Sequence, residues 1–248
     1  SNDIVIEDGA RLGAFSMAFV STNSEAPAIL GGGGTPQGGV TGEGYSFIGE
    51  ELARLEVGTF TFSQPVVSEQ GANDPDLIIR DITASGSLDD GAFSITASVF
   101  GAGGIARVEG VLAYVDADVE DTLGLFAEGR IEVVTPGGIG IVDPQGNPTG
   151  TLFLGSNTIW VADSNLIALL QDDPFFAGRN DQLAVAASGS DDPLGYLRAG
   201  GVNIDVGSQL LVRNTGTSTE QGGILVGDGG LSISGGQNTE GGLDVFAY

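Results

Sequence analysis

Pairs of apolar residues that are separated by a single residue recur along the chain. The clearest are Ile131/Val133, Ile139/Ile141, Leu152/Leu154, Ile159/Val161, Leu183/Val185, Val202/Ile204, Leu210/Val212, Leu231/Ile233 and Leu243/Val245. Because successive strand residues point to opposite faces, each pair places two side chains on one face of a strand of roughly three to five residues. The glycine pairs at 137–138, 200–201, 222–223 and 229–230 are expected to form positive-φ corners between strands. Helical periodicity is nearly absent, so the pattern predicts an all-β chain.

Two all-β architectures combine many short strands with glycine corners: an antiparallel sandwich or barrel, and a parallel β-solenoid. A sandwich joins longer alternating strands by two-residue hairpin turns such as Asn-Gly. The sequence has no Asn-Gly, and Asp-Gly occurs only at Asp8, Asp90 and Asp228. The short, dense segments favour the solenoid, in which each strand pairs with the strand one turn below and the apolar pairs stack into a column. The repeat has no fixed period.

Three segments depart from this pattern. Residues 31–44 contain eight glycines and are expected to form a flexible loop that projects from the solenoid. Residues 50–56 are compatible with one or two helical turns. Residues 164–173 predict a short helix, with Ser164 as N-cap and apolar residues at 166, 167, 169 and 170. No linker divides the chain, which predicts a single domain over residues 1–248.

The composition excludes several kinds of chemistry. The 248 residues carry a formal net charge of -25, and they include no Cys, no His and no Lys. Disulfides, thiolate metal sites, an imidazole base and lysine-based catalysis are therefore excluded. The acidic balance disfavours binding to nucleic acid and to anionic membranes. No apolar run reaches the roughly 18 residues that span a bilayer, so we expect a chain that is not embedded in a membrane.

A calcium site is the most specific metal hypothesis that the sequence offers. On an extended strand Asp116, Asp118 and Glu120 would share a face and supply the oxygen ligands that Ca²⁺ prefers. The alternative is a solvated outer face, with Val115, Ala117 and Val119 pointing inward. In a chain with 33 acidic residues such a cluster is expected by chance. We therefore predict no metal site and no cofactor.

Other candidate features favour structural roles. The adjacent acids Asp89/Asp90, Asp172/Asp173 and Asp191/Asp192 would point to opposite faces of a strand, which is typical of turns and not of paired catalytic carboxylates. The Asp-Pro steps that begin at 74, 143, 173 and 192 also mark turns. Residues 222–230 lack the spacing of the calcium-binding nonapeptide repeat. Trp160 could stack on a sugar ring if exposed, but a partly buried Trp that caps the solenoid is favoured.

The last hundred residues resemble the large exoproteins of the filamentous-haemagglutinin type. The resemblance lies in the stretch Gly150–Tyr248, where glycine corners precede pairs of the form L-x-V, as in GGVNIDVGSQLLV, GGILVGDGGLSISGG and GGLDVFAY. It implies a right-handed parallel β-helix that a Gram-negative bacterium secretes through an outer-membrane partner, the two-partner route. It also implies adhesion as the function, and this chain would be an interior or C-terminal piece. No functional residue transfers.

The sequence thus predicts an extracellular or cell-surface adhesin segment that is not an enzyme. Its partner would be a host-cell or other surface ligand, including carbohydrate. The alternative is a carbohydrate-active β-helix enzyme or a sugar-binding module, which exposed aromatics beside a groove with two or more acids would favour. The strand pattern at 243–247 has no polar cap after it, so we also expect weak self-association through this C-terminal edge.

Overall fold

A computed structural model gives the arrangement of most of the chain. It describes residues 6–7, 9–22, 24–32, 46–47, 54–68, 71–85, 94–115, 117–163, 167–168, 170–171, 197–212, 224–235 and 244–247. These residues contain twelve strands, which in chain order are β1 (Leu12–Val20), β2 (Ala28–Gly31), β3 (Ser46–Phe47), β4 (Leu55–Pro65), β5 (Leu77–Ser85), β6 (Ser94–Phe100), β7 (Ile105–Val115), β8 (Thr122–Ile141), β9 (Thr151–Asp163), β10 (Leu197–Val212), β11 (Ile224–Gly235) and β12 (Asp244–Ala247).

All pairings between these strands are parallel, and they join the strands into a single curled sheet. The one antiparallel contact among the described residues is an isolated bridge between Val142 and Pro148, outside the strands. The prediction of an all-β chain with parallel pairing is therefore confirmed. An antiparallel sandwich is not the arrangement of the described strands.

The pairings form three ladders, which we number by the order in which the chain visits them. The first ladder runs through β1, β4, β6, the start of β8 (residues 122–127), the start of β9 (151–156), the middle of β10 (201–206) and the end of β11 (230–235). The second runs through β3, β2, β5, β7, residues 130–135, 158–163 and 209–212, and β12. The third joins residues 82–85, 112–115, 139–141, 197–198 and 224–225.

The spacing between stacked partners explains why the sequence has no fixed period. Thr59 pairs with Ser94, 35 residues later, and Ser94 pairs with Thr122 after 28. Thr122 pairs with Thr151 after 29 residues, but Thr151 pairs with Gly201 only after 50. The ladders stay in register because the additional residues lie between strands, where they do not disturb the pairing.

Most of the predicted apolar pairs lie in one continuous core, and six are buried at both positions: Ile131/Val133, Ile139/Ile141, Leu152/Leu154, Ile159/Val161, Val202/Ile204 and Leu210/Val212. Leu231 and Ile233 differ, with 47% and 36% of their surface exposed, because β11 pairs with β10 on one side and with no other described strand. Leu183, Val185 and Leu243 lie outside the described residues.

Several local predictions need correction. The strands continue across the corners, where only the pairing register shifts, and they are therefore longer than predicted, up to the 20 residues of β8. Leu55 and Glu56 belong to strand β4 and are not helical, since they pair with Leu12 and Gly13. Ile167, Ala168, Leu170 and Gln171 are helical, as predicted for 164–173, and we call them the helical turn. The glycine-rich segment 31–44 lies outside the described residues beyond Gly32.

The glycine corners also work differently from the prediction. Gly138 and Gly230 have positive φ angles of 152° and 76°. Gly200 and Gly229 do not, and their role is close approach of backbones. A Cβ atom on Gly200 would lie 2.9 Å from the carbonyl oxygen of Gly150, and one on Gly229 would lie 2.8 Å from the Cα of Gly201. A side chain at either corner would push stacked segments apart.

A close approach of two backbone segments at another corner leads to a testable prediction. At the corner between the first and second ladders, a Cβ on Gly129 would lie 2.5 Å from the carbonyl carbon of Gly103. Because backbone cannot move aside cheaply, we expect Gly129→Ala to lower the free energy of unfolding by about 1–3 kcal/mol. The matched control is Gly13→Ala, since Gly13 has only an ordinary contact of 3.9 Å and no positive φ. Urea denaturation should show Gly13→Ala to be neutral or slightly stabilising, and equal losses would contradict the prediction.

Candidate functional site

The outer face of the first ladder carries no charged side chain over four adjacent strands. The side chains on its other side, including Phe62, Val99, Leu125 and Leu152, are buried in the core, so the alternate residues point outward. We call this surface the hydroxyl face, and it is made of Thr59, Thr61, Ser63, Ser94, Thr96, Ser98, Phe100, Thr122, Gly124, Phe126, Thr151, Phe153 and Gly155.

Three phenylalanines interrupt the hydroxyl groups. Phe100, Phe126 and Phe153 have 46%, 40% and 39% of their surface exposed. They occupy successive strands, because Phe126 pairs with Ser98, two residues before Phe100, and Phe153 pairs with Gly124, two residues before Phe126. The three rings therefore follow a diagonal across the face.

Hydrogen bonds between strands hold the hydroxyl groups beside this diagonal. Thr122 Oγ1 donates to Ser94 Oγ at 2.8 Å, and the Oγ atoms of Ser63 and Ser98 lie 2.9 Å apart. Each bond joins directly paired residues on neighbouring strands. The side chains are thus ordered before any ligand arrives, which reduces the entropy lost on binding.

Charged side chains occur only at the borders of this face within the described strands. Glu128 follows Phe126 by two residues, and Asp205 lies on β10, paired with Gly155. Strand β9 separates the two carboxylates, so they do not form a close pair. The face therefore offers aromatic stacking and hydrogen bonding, which is the chemistry of binding.

The outer face of the second ladder is different, because it carries a cluster of ion pairs around Glu132. This carboxylate is fully buried, and it accepts hydrogen bonds at 2.6 Å from both Arg107 Nε and Arg130 Nε. Gln171 of the helical turn donates a third bond to Glu132 Oε1 at 2.8 Å, and Asn73 Nδ2 donates to the backbone oxygen of Gln171 at 3.2 Å. The cluster fastens the helical turn and the 71–76 segment to the sheet.

Trp160 belongs to the same cluster and not to the main apolar core. It is buried among Ala162, Ile167, Leu170 and Leu211 on the outer side of the sheet, while Ile159 and Val161 face the core. Its Nε1 donates to Gln209 Oε1 at 2.7 Å, and the Arg130 guanidinium lies 4.6 Å from its ring centre. It is not available for sugar stacking because the helical turn covers it.

The calcium hypothesis receives no geometric support from the described residues. Asp116 lies outside them. Asp118 to Asp121 form a turn and not a strand, since Asp121 N donates to Asp118 O at 3.2 Å and Asp118 N donates to the Asp121 carboxylate at 2.6 Å. Val119 is exposed in consequence and does not point inward as expected. Among the described residues no three acidic side chains are grouped so as to hold a metal ion.

Two of the predicted Asp-Pro turns are confirmed. Asp74 accepts a hydrogen bond from Gly71 N at 3.0 Å, and Asp143 accepts bonds from Gln145 N, Asn147 N and Asn147 Nδ2. The bond from the Asn147 side chain, with those from the backbone, holds the pKa of Asp143 below its ordinary value. The steps at 173 and 192 and the three acidic pairs lie outside the described residues.

The comparisons with known proteins leave the family open. Neither a protein-family model, nor a curated protein, nor a solved structure matches the chain. No helix in the described part of the chain has the length and apolar character needed to cross a membrane. The resemblance to the filamentous-haemagglutinin type thus stays a prediction, and function must be inferred from the two outer faces.

Proposed function

We propose that the chain is a segment of a right-handed parallel β-helix that attaches to surfaces outside the cell, with the hydroxyl face as its contact. From β4 onward, three ladders recur in the same chain order around one apolar core, which supports the β-helix. Parallel strands joined by crossover connections are right-handed in about 98% of cases, which supports the handedness. The filamentous-haemagglutinin type is the family we propose, with two-partner secretion as the route.

The diagonal of exposed phenylalanines is the observation that carries the proposal. Single exposed apolar residues are ordinary on protein surfaces, and they need no explanation. Phe100, Phe126 and Phe153 are aligned on adjacent strands of a rigid sheet, in a face without charge, although the chain has a net charge of -25. Aligned aromatic residues and a lack of charge are features of interaction surfaces. The proposed role involves no catalysis.

Attachment can be measured with coated beads under flow. Latex beads that carry the chain should be retained on epithelial-cell monolayers, polysaccharide films or polystyrene more strongly than beads coated with albumin. The double variant Phe126→Ala/Phe153→Ala should fall to the albumin level, because it removes two rings of the diagonal. Phe15→Ala is the matched control, since Phe15 is 90% exposed on β1, away from the diagonal. The proposal is wrong if the wild-type beads match albumin on every surface, or if the double variant is retained like the wild type.

A further inference from the structure

The ring of Phe126 is held flat on the sheet by two glycines. A Cβ on Gly124 would lie 2.8 Å from Phe126 Cε2, and a Cβ on Gly155 would lie 2.7 Å from Phe126 Cδ1. The ring therefore occupies space that any other residue at these positions would fill, and one of its faces rests on the strands. The opposite face is turned to solvent, so Phe126 is a fixed aromatic platform and not a freely rotating side chain.

The three rings are evenly spaced. Each phenylalanine is displaced from the next by one strand and two residues. With strands about 4.8 Å apart and a rise of about 3.3 Å per residue, this displacement is about 8 Å. That length lies between those of a monosaccharide unit and a disaccharide unit. An extended chain of sugar rings that crosses the strands obliquely could contact more than one of the rings.

The hydroxyl face offers partners both for the C–H groups and for the hydroxyl groups of a sugar ring. The C–H groups on one side of a pyranose ring carry partial positive charge and stack on the negative face of an aromatic ring. Its hydroxyl groups exchange hydrogen bonds with serine and threonine, each of which both donates and accepts. Thr96 and Ser98 lie beside the Phe126 platform, as the partners of Gly124 and Phe126 on β6. Stacking and hydrogen bonding are thus available at the same position.

Electrostatics selects the kind of polysaccharide. The hydroxyl face carries no cation, and Arg80, Arg107 and Arg130 lie on the second ladder, each paired with Glu109 or Glu132. A polyanion would meet the repulsion of a chain with a net charge of -25 and no basic group at the face. A neutral polymer carries no charge and is therefore not repelled.

We propose that the hydroxyl face binds a neutral polysaccharide, whose sugar rings stack on Phe126 and Phe153 and bond to the flanking hydroxyl groups. This inference rests on the proposed function, because it names the ligand of the same contact face. The binding is a contact of surfaces, in which the sugar is neither cleaved nor modified.

Affinity electrophoresis of the whole chain in gels that contain one soluble polysaccharide tests the proposal. The neutral set is hydroxyethylcellulose, xyloglucan, galactomannan and dextran, and the acidic set is alginate and hyaluronan. At least one neutral polymer should retard the wild type, and neither acidic polymer should. Phe126→Ala and Phe153→Ala should each weaken the binding about tenfold. Phe15→Ala should leave it unchanged, and added sodium chloride should not weaken it, because no ion pair is involved.

A second variant tests whether binding depends on the position of the Phe126 ring, and not only on its apolar character or on the stability of the fold. Gly155→Ala keeps Phe126 but drives its ring off the sheet, because the new methyl group would meet the ring at 2.7 Å. It should lose binding as Phe126→Ala does, while thermal melting stays at or above that of the wild type. Unchanged binding in Gly155→Ala or in Phe126→Ala would overturn the proposal, as would retardation by the acidic polymers alone or by none. If beads still attach while no neutral polymer binds, the polysaccharide inference fails and the attachment function stands.

Discussion

Leu152→Ala is expected to lower the free energy of unfolding by about 2–5 kcal/mol, since it removes a fully buried side chain from the middle of the core. Leu152 stands in an inward row of the first ladder, between Leu123 on β8 and Val202 on β10. Its neighbours are fixed by strand pairing on both sides, so they cannot collapse into the space. The loss of unfolding free energy therefore includes the cost of the cavity as well as the lost transfer free energy of the side chain.

Leu231→Ala is the matched control, because Leu231 continues the same row as the partner of Val202. It has the same residue type and the same place in the sequence pattern, but 47% of its surface is exposed. Its truncation should cost less than about 1 kcal/mol, as little apolar surface is lost from the interior. Urea denaturation, with the slope compared as well as the midpoint, measures both. Equal losses of unfolding free energy for the two variants would mean that Leu231 is buried as Leu152 is, which would contradict the prediction.

Burial was predictable from the sequence where it depends only on strand alternation. The pairs Ile131/Val133 and Val202/Ile204 are separated by one residue, and that spacing suffices to put both members on the core face. Whether a pair is covered is a different matter, because it depends on the next strand. Leu231 and Leu152 are equivalent by pattern, and only the described pairing of β11 distinguishes them.

The candidate binding face could not be found from the sequence, since it depends on register. Phe126 follows Phe100 by 26 residues, and Phe153 follows Phe126 by 27. These spacings indicate alignment only when the pairing offsets between the strands, 28 residues for the first pair and 29 for the second, are known. Those offsets vary along the chain, so no period in the sequence indicates them. A recurrent aromatic residue two positions short of each repeat would have been the signal.

Burial of Trp160 was predicted but its place was not, because an excursion of the chain covers the outer side of the second ladder. Alternation puts Trp160 opposite to Ile159 and Val161, which by pattern alone is the solvent side. The helical turn supplies Ile167 and Leu170 to cover it. Glu132, its partner in β8, is buried for the same reason. A sequence pattern with period two cannot indicate a second layer that comes from a distant segment.

Glu132→Ala is expected to lower the free energy of unfolding by about 3–5 kcal/mol, because it leaves two largely buried guanidinium groups without their shared carboxylate. Arg107 and Arg130 would keep their charges, and they would face each other across the vacated position. Glu109→Ala is the control: Glu109 lies on the same outer face and pairs with Arg80 at 3.0 Å and, at the longer distance of 3.8 Å, with Arg107, but the Glu109 and Arg80 side chains are partly exposed. It should cost less than about 1 kcal/mol, and high salt should reduce that cost further.

Fluorescence gives this prediction a local readout as well as a global one. Trp160 is the only tryptophan of the chain, and it is buried beneath the helical turn. The hydrogen bond from Gln171 to Glu132 attaches this turn to the sheet. Loss of the carboxylate removes the acceptor for Gln171, so the helical turn should separate from the sheet and the emission should shift to longer wavelength before global unfolding begins. Glu109→Ala should leave the emission unchanged. If Glu132→Ala unfolds at the same urea concentration as Glu109→Ala, with Trp160 still buried, then the ion-pair cluster does not fasten this excursion to the sheet.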